Sequence, residues 1–344
     1  MRDATIPYVC PQCKAALSEV PSAYRCRECQ RQYPIVMGIP DFRLFPDPYI
    51  SIEDDYRKAA ALAESYHHLD FPLLVERYWE ITPGLPQVLV RQYVRSALDS
   101  RERSLRTWRV IDAIDGPGGR NRLLDVGCGT AGFLAATGPV FARAVGLDIA
   151  FRWLIVARKR LEEAGLKNVD LVCGCAEHLP FPDGIFDLVV AEDALDHTRD
   201  QQAFMRESAR VLKVHTGVFY LSTPNRYSLG PDPHVWVWGV GFLPPRLRDR
   251  YVRWRRGISY GPIRPVSYVQ LRRLLRIVSF RQCRVILPEL RGLDQLNLSP
   301  WQRTQARLYE FVRGMPWLRP ALRFVAPGFQ VLCRKADREI RDTA

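Results

Sequence analysis

The sequence predicts an α/β protein: a doubly wound, mostly parallel sheet with helices on both faces, preceded by a small Cys-rich module and a helical segment. Three observations predict it. From residue 122 onward, short apolar runs alternate with helix-length amphipathic stretches, the pattern of parallel strands joined by crossover helices. The first run ends in an acid and a glycine-rich turn, Asp125 to Gly132. Four cysteines near the N-terminus fall in two Cys-x2-Cys pairs.

The elements follow in order. Residues 1–45 form the Cys-rich unit. Residues 46–118 read as helical, because apolar positions recur at three- and four-residue spacing, as in Leu73, Leu74, Tyr78 and Val88, Val90, Val94, Leu98. Asp115–Arg120 is a turn and a linker. Residues 119–225 hold five strand signals, Arg122–Val126, Ala144–Asp148, Val169–Cys173, Phe186–Ala191 and Gly217–Ser222, with helices at Phe151–Ala164 and near Gln201–Leu212. In the last unit, 226–344, Ser267 and Gln270 form a capping-box pattern that opens a helix to about Val278. Cys283–Leu287 and Phe329–Cys333 are the last two strands, and the stretches 230–265 and 288–327 interrupt the alternation as insertions.

Charge divides the chain. Of the net +13, residues 226–344 carry 23 Lys and Arg against 8 Asp and Glu, a local balance of +15. A basic C-terminal third calls for an anionic partner: nucleic acid, a membrane surface or a phosphorylated substrate. No run approaches the ~20 apolar residues that cross a bilayer, and no positive-then-apolar leader opens the sequence. Cys128, Cys173, Cys175, Cys283 and Cys333 are scattered singly, which predicts no disulfide framework and a reducing, cytoplasmic setting.

Cys10, Cys13, Cys26 and Cys29 have the spacing that places four thiolates around one tetrahedral Zn²⁺. With every position filled by protein, that metal is structural. The segment from Cys26 through Tyr33-Pro-Ile and Gly38-Ile-Pro40 resembles zinc-ribbon modules that precede some methyltransferases.

In Leu123-Leu-Asp125-Val-Gly127-Cys128-Gly129-Thr-Ala-Gly132, glycines let the backbone turn from a strand into a helix and approach a ligand. Gly-x-Gly-x-x-Gly also serves dinucleotides. Asp125, however, would repel a pyrophosphate and attract an ammonium or sulfonium group. Asp148, at the end of the next strand, can hold the two hydroxyls of a ribose. Over roughly residues 120–225 the chain resembles the class I S-adenosylmethionine-dependent methyltransferases, of the type 11 kind. The resemblance implies a Rossmann-like sheet of seven strands, the last antiparallel. It places Asp125, Gly127, Cys128, Gly129 and Gly132 around the methionine part of the cofactor, with Glu192 near them. Asp148 falls on its ribose, and Ile149, Cys175 and Ala176 on its adenine. Cys175 stands where the family usually has Asp.

Glu192-Asp193-Ala-Leu-Asp196-His197 follows the fourth strand, where ligands of open α/β sheets bind. His197 is a candidate general base, since its ordinary pKa lies near working pH, and His234 is a second. Asp193, Asp196 and His197 resemble, position by position, the metal set of ubiquinone-type O-methyltransferases and form a candidate Mg²⁺ site. His67-His68 reads as structural. The Asn/Asp-Pro-Pro-aromatic motif of amino methyltransferases is missing here.

These features predict direct transfer of a methyl group to O or C of a small-molecule or lipid-linked acceptor. The basic aromatic C-terminal region would make peripheral contact with the inner face of a membrane. Two alternatives stay open: an rRNA or tRNA methyltransferase that grips RNA with the ribbon and the basic region, and a non-catalytic module that binds the cofactor.

Overall fold

The structure is a computed structural model and describes residues 6–116, 120–278, 280–290 and 300–335. Strands β1 (Leu17–Val20), β2 (Ala23–Cys26), β3 (Gln32–Val36) and β4 (Ile39–Pro40) form an antiparallel meander in sequential order. Four helices follow: α1 (Ile52–Ser65), α2 (Phe71–Glu80), α3 (Gln87–Leu98) and α4 (Ser100–Asp115). Ser51 caps α1 by accepting from the Asp54 N–H at 3.1 Å, and Asp70 caps α2 by accepting from that of Leu73 at 3.0 Å.

The main domain runs β5 (Arg122–Val126), α5 (Gly132–Thr137), β6 (Arg143–Asp148), α6 (Phe151–Glu163), β7 (Val169–Cys173), β8 (Leu188–Glu192), α7 (Gln201–Val211) and β9 (Val218–Pro224). Then come α8 (Pro245–Arg256), α9 (Tyr268–Ile277), β10 (Phe280–Ile286), α10 (Pro300–Arg313), α11 (Arg319–Leu322) and β11 (Gly328–Lys335). The sheet order is β10-β11-β9-β8-β5-β6-β7. Strands β5 to β9 pair in parallel, and β11 lies antiparallel between β9 and β10. This is the doubly wound, seven-stranded sheet the sequence predicts, with its order reversing between β5 and β8. Ligands bind such sheets beyond the carboxyl ends of the strands at that point.

The strands are buried on both faces, as parallel sheets require: Leu123, Leu124 and Val126 of β5 and Val189, Val190 and Ala191 of β8 are fully enclosed. Helix α9 carries the predicted capping box, with Ser267 and Gln270 bonded reciprocally.

The meander is welded to this core. Phe42, fully buried, lies 5.1 to 5.5 Å from the rings of Tyr8, Tyr24 and Tyr33 and belongs to the same apolar cluster as Leu124 and Val172. Truncating such a phenylalanine costs about 3–5 kcal/mol. Asp41 bridges to Cys173 at the edge of the main sheet, and Phe42 donates its N–H to the Cys173 carbonyl at 2.8 Å. Lys14 adds an ion pair with Glu207 at 2.6 Å.

Two expectations change. In α2 and α3 the buried positions are Phe71, Leu74, Val75, Tyr78 and Leu89, while Leu73 and Val88 face solvent; the helical period holds, and its phase shifts because aliphatic residues crowd both sides of the stripe. Cys283 and Cys333 are not single: they form a disulfide between neighbouring strands, with Cα atoms 4.2 Å apart. A bulge between Arg281 and Arg284, with Gln282 in the left-handed region at φ 52°, sets Cys283 beside Cys333. The cysteine pattern therefore carries no argument for a reducing compartment. Of the Asp115–Arg120 turn, residues 117–119 lie outside the described residues.

Candidate functional site

The first cluster is the set of four thiols. Cys10 and Cys29 Sγ lie 3.6 Å apart, Cys13 and Cys26 Sγ 3.4 Å, and all four within 4.8 Å of one another. Each knuckle closes through a left-handed residue just after its second cysteine, Lys14 at φ 63° and Gln30 at φ 60°. Thiolates about 2.3 Å from a central tetrahedral metal stand at about this mutual separation, so the four residues fit a Zn²⁺ ion.

The second site lies beyond the carboxyl ends of β5, β6 and β8. After β5 the backbone turns through Gly127 at φ +76°, where its N–H donates to the Leu147 carbonyl at 2.7 Å. A Cβ there would stand 2.6 Å from that of Ala194, so no side chain fits between the two loops. Gly132 opens α5 against Ser100, whose Oγ would lie 2.6 Å from an added Cβ. The sequence-predicted Cys128 is buried, with its sulfur toward Gly146. Only its backbone is available to a ligand.

Three carboxylates converge on this loop. Asp125 is 2% exposed and its Oδ2 has no hydrogen-bond partner. Burial, then Glu192 and Asp148, push its pKa well above the ordinary range. Asp148 accepts from the Gly129 N–H and the Ala150 N–H, both at 2.8 Å, and burial raises it to about 6. Glu192 is engaged otherwise: its two oxygens accept from Ser104 and Thr107 of α4, each at 2.6 Å. An unpartnered, buried carboxylate beside two others disfavours a phosphate and favours a cation. The cleft thus suits the ammonium and sulfonium groups of S-adenosylmethionine.

The side of the cleft next to Ile149 carries a feature with no local sequence signal. The strap from Asp41 to Asp55 crosses it. Arg43 binds Asp41 and Asp55, both at 2.6 Å, and donates to the Ile149 carbonyl at 3.2 Å. Arg152 bonds Asp55 at 2.9 Å and Asp47 at 3.0 Å. Asp55 also accepts from the Phe151 N–H at 2.9 Å, capping α6 from another helix. Cys175 is fully buried. Its sulfur accepts from the Leu44 N–H at 3.4 Å and its thiol faces the Phe45 carbonyl at 3.8 Å. The residue in the usual Asp position therefore fastens the strap, with Ala176 beside it half-buried.

The third cluster gathers Asp196, His197 and His234, whose ligand atoms lie within 4.8 Å of one another. The sequence-predicted metal set is altered here: Asp193 is bonded to Ser222 at 3.1 Å, and His234 from the insertion takes its place. His234 sits between two acids, with Nε2 2.9 Å from Asp196 and Nδ1 3.3 Å from Asp232. Burial alone would lower its pKa, but Asp196 and Asp232 outweigh burial and hold it at about 10. Held toward its cationic form, His234 is a weaker candidate than His197 for accepting a proton or binding a metal, against the expectation from the sequence. His197 is the opposite case. Burial pulls its pKa below the ordinary value against the attraction of Asp196, and the Tyr49 hydroxyl lies 2.9 Å from Nδ1. His67 and His68 belong to neither candidate metal cluster.

Comparison with known proteins finds similarity in the main domain. Residues 124–221 match the family described as methyltransferase domain. Demethylmenaquinone methyltransferase of Listeria welshimeri is 41% identical over 95 residues, 26% of this chain and 40% of that protein. The Bacillus cereus enzyme of the same name is 35% identical over 127 residues, 36% of this chain and 52% of that protein. The uncharacterized methyltransferase YcgJ of Bacillus subtilis is 38% identical over 93 residues, 27% of this chain and 37% of that protein. The chain thus spans about half or less of these relatives' lengths. Among solved structures, YcgJ superposes with a TM-score of 0.42 at 21% identity, covering 69% of this chain and 99% of that one. Phosphoethanolamine N-methyltransferase 2 of Haemonchus contortus, in complex with S-adenosyl-L-methionine, superposes at 0.45 and 17% identity, covering 67% and 52%. Residues 124–221 thus match a methyltransferase domain, and they lie in a mostly parallel seven-stranded sheet.

Proposed function

We propose that the protein transfers the methyl group of S-adenosylmethionine to an oxygen or carbon of a small-molecule or lipid-linked acceptor. The observation that carries the cofactor assignment is the unpartnered Asp125 carboxylate at the end of β5, beside Asp148 and a loop that excludes side chains. Asp125, Gly127, Gly129 and Gly132 enclose the methionine moiety. Asp148 takes the ribose, and Ile149, Ala176 and the Leu44–Phe45 strap flank the adenine. Zn²⁺ on Cys10, Cys13, Cys26 and Cys29 holds the ribbon, whose exit strap forms the adenine wall.

The cofactor brings a methyl already activated by positive sulfur. The protein has to align the nucleophile with it and remove a proton. His197 takes the acceptor proton, and Tyr49 orients its ring. His234, held toward its cationic form between Asp196 and Asp232, favours an acceptor that is anionic once deprotonated, as an oxygen or enolate nucleophile is. An amine acceptor gains nothing from that cation.

The test is calorimetric titration with S-adenosylmethionine and S-adenosylhomocysteine, followed by methyl-label transfer into the lipid, RNA, protein and small-molecule fractions of a cell extract. Binding plus label in the organic or small-molecule fraction is expected. Label in RNA alone would sink the acceptor assignment, and binding with no transfer to any fraction would support a non-catalytic module.

A further inference from the structure

Helices α8 and α10 are apolar on two faces. The inner face of α8 is buried through Val252, and that of α10 through Ala306. Their outer faces carry large apolar residues as well. On α8, Leu247 and Trp254 stand seven residues apart, on one side of the helix, and Trp254 is 75% exposed. On α10, Trp301, Leu308 and Phe311 share one side, with Trp301 at 70%, and Trp317 follows at 75%. Isolated exposed apolar residues are ordinary, but aligned ones mark an interaction surface.

The two helices belong to one end of the molecule. Leu229 donates its N–H to the Val325 carbonyl at 3.3 Å, and the Asn225 amide donates to the carbonyls of Phe324 and Ala326 at 3.1 and 2.9 Å. The chain entering the first insertion is thereby tied to the end of the second, beyond the carboxyl end of β9, the end of the sheet where His197 and His234 meet.

We propose that this surface seats on an anionic lipid bilayer. Charge selects the occupant. On α8 Arg246, Arg250, Arg253 and Arg255 are exposed, and on α10 Arg303 and Arg307. A second copy of the chain would bring these arginines against one another. RNA would satisfy the charge and stack on the tryptophans, but Leu247 and Leu308 offer no π-face to a base. A bilayer accommodates all three features: aliphatic and indole groups enter the acyl boundary, and arginines reach lipid phosphates. No helix among the described residues is long and apolar enough to cross a membrane, so the contact is peripheral. This inference does not depend on methyl transfer and would survive its failure.

The test is co-sedimentation of the full, zinc-loaded chain with vesicles of phosphatidylcholine alone and of phosphatidylcholine with roughly one third phosphatidylglycerol. Binding to the anionic vesicles is expected, weakened by salt and by the loss of anionic lipid. Trp254→Ala with Trp301→Ala should weaken it by about tenfold or more. Arg250→Gln and Arg255→Gln should each weaken it by about fivefold. All four side chains are exposed, so circular dichroism and S-adenosylhomocysteine affinity should be unchanged. Equal binding to both vesicle types, no binding, or binding indifferent to these variants would overturn the proposal. So would variants that lose affinity for a structured RNA while vesicle binding stays intact.

Discussion

His234 Nε2 lies 2.9 Å from the buried Asp196 carboxylate, and His234 comes from an insertion 38 residues later in the chain. The pair ties the insertion to the loop after β8. Because the folded-state pKa of His234 is raised to about 10, above the ordinary ~6.5, its stabilisation is fully present below that ordinary value and is lost as pH rises through about 10. His234→Gln leaves Asp196 buried without its cation and should cost about 3–5 kcal/mol. Asp196→Asn in the same chain should recover much of that loss. Urea denaturation of the two single variants and the double variant measures the coupling; additive losses would refute it.

His197 and His234 sit with ring centroids 4.9 Å apart, and their surroundings push their pKa values in opposite directions, down for His197 by burial and up for His234 by its two acids. If His197 removes the acceptor proton, kcat/KM should fall on the acid side with a midpoint below the usual ~6.5. His197→Ala should lower kcat by about 10²–10⁴ and leave cofactor affinity alone. Tyr49→Phe, which removes only the hydroxyl on Nδ1, should displace the acid midpoint. A flat pH profile in the wild-type protein would remove His197 from the mechanism.

What the sequence made legible was whatever depends on neighbours in the chain. Asp125 and its glycines, Asp148 one strand later, and the paired cysteines are local patterns, and each stands where the pattern predicts. Tyr49, Arg43 and Asp55 carry no local signal. They reach the site only because the ribbon adds to the free edge of β7 and throws its exit strap across the cleft. His234 is intermediate: its residue type marked it as a candidate, but its partners Asp196 and Asp232 decide that it is a cation, and that requires the fold. The Cys283–Cys333 bond was hidden for the same reason, since 50 residues separate its ends.

Asp148 gives a prediction with an unusual sign. Its folded pKa is raised to about 6 by burial, so the free protein binds that proton more tightly than the unfolded chain does. Its contribution to stability is present at low pH and is lost as pH rises from the ordinary ~4 through about 6. Cofactor affinity should run the other way. Ribose hydroxyls are best held by the ionised carboxylate, so the association constant should rise across the same window. Asp125→Asn should weaken S-adenosylmethionine by about 10- to 100-fold, the equivalent of one charge-assisted contact. Calorimetry at pH 5, 6 and 7 reads both effects, and a pH-independent affinity would contradict the assignment of Asp148.

The strap joins the N-terminal module to the proposed cofactor cleft, and chelating a metal held by the four cysteines would test the coupling. A module this small has too little core to hold its shape without its cross-link. Loosening it frees Phe42, then Arg43, whose guanidinium touches Ile149 next to Asp148. Treatment with a strong chelator should therefore lower both the melting temperature and the affinity for S-adenosylhomocysteine, and zinc should restore both. Asp55→Ala should reproduce the loss of affinity with the metal in place, because it strips a partner from Arg43 and Arg152 together; the two buried cations left short of an acid should cost about 3–5 kcal/mol. Chelation that melts the ribbon but leaves cofactor affinity unchanged would show that the strap is held by the main domain alone.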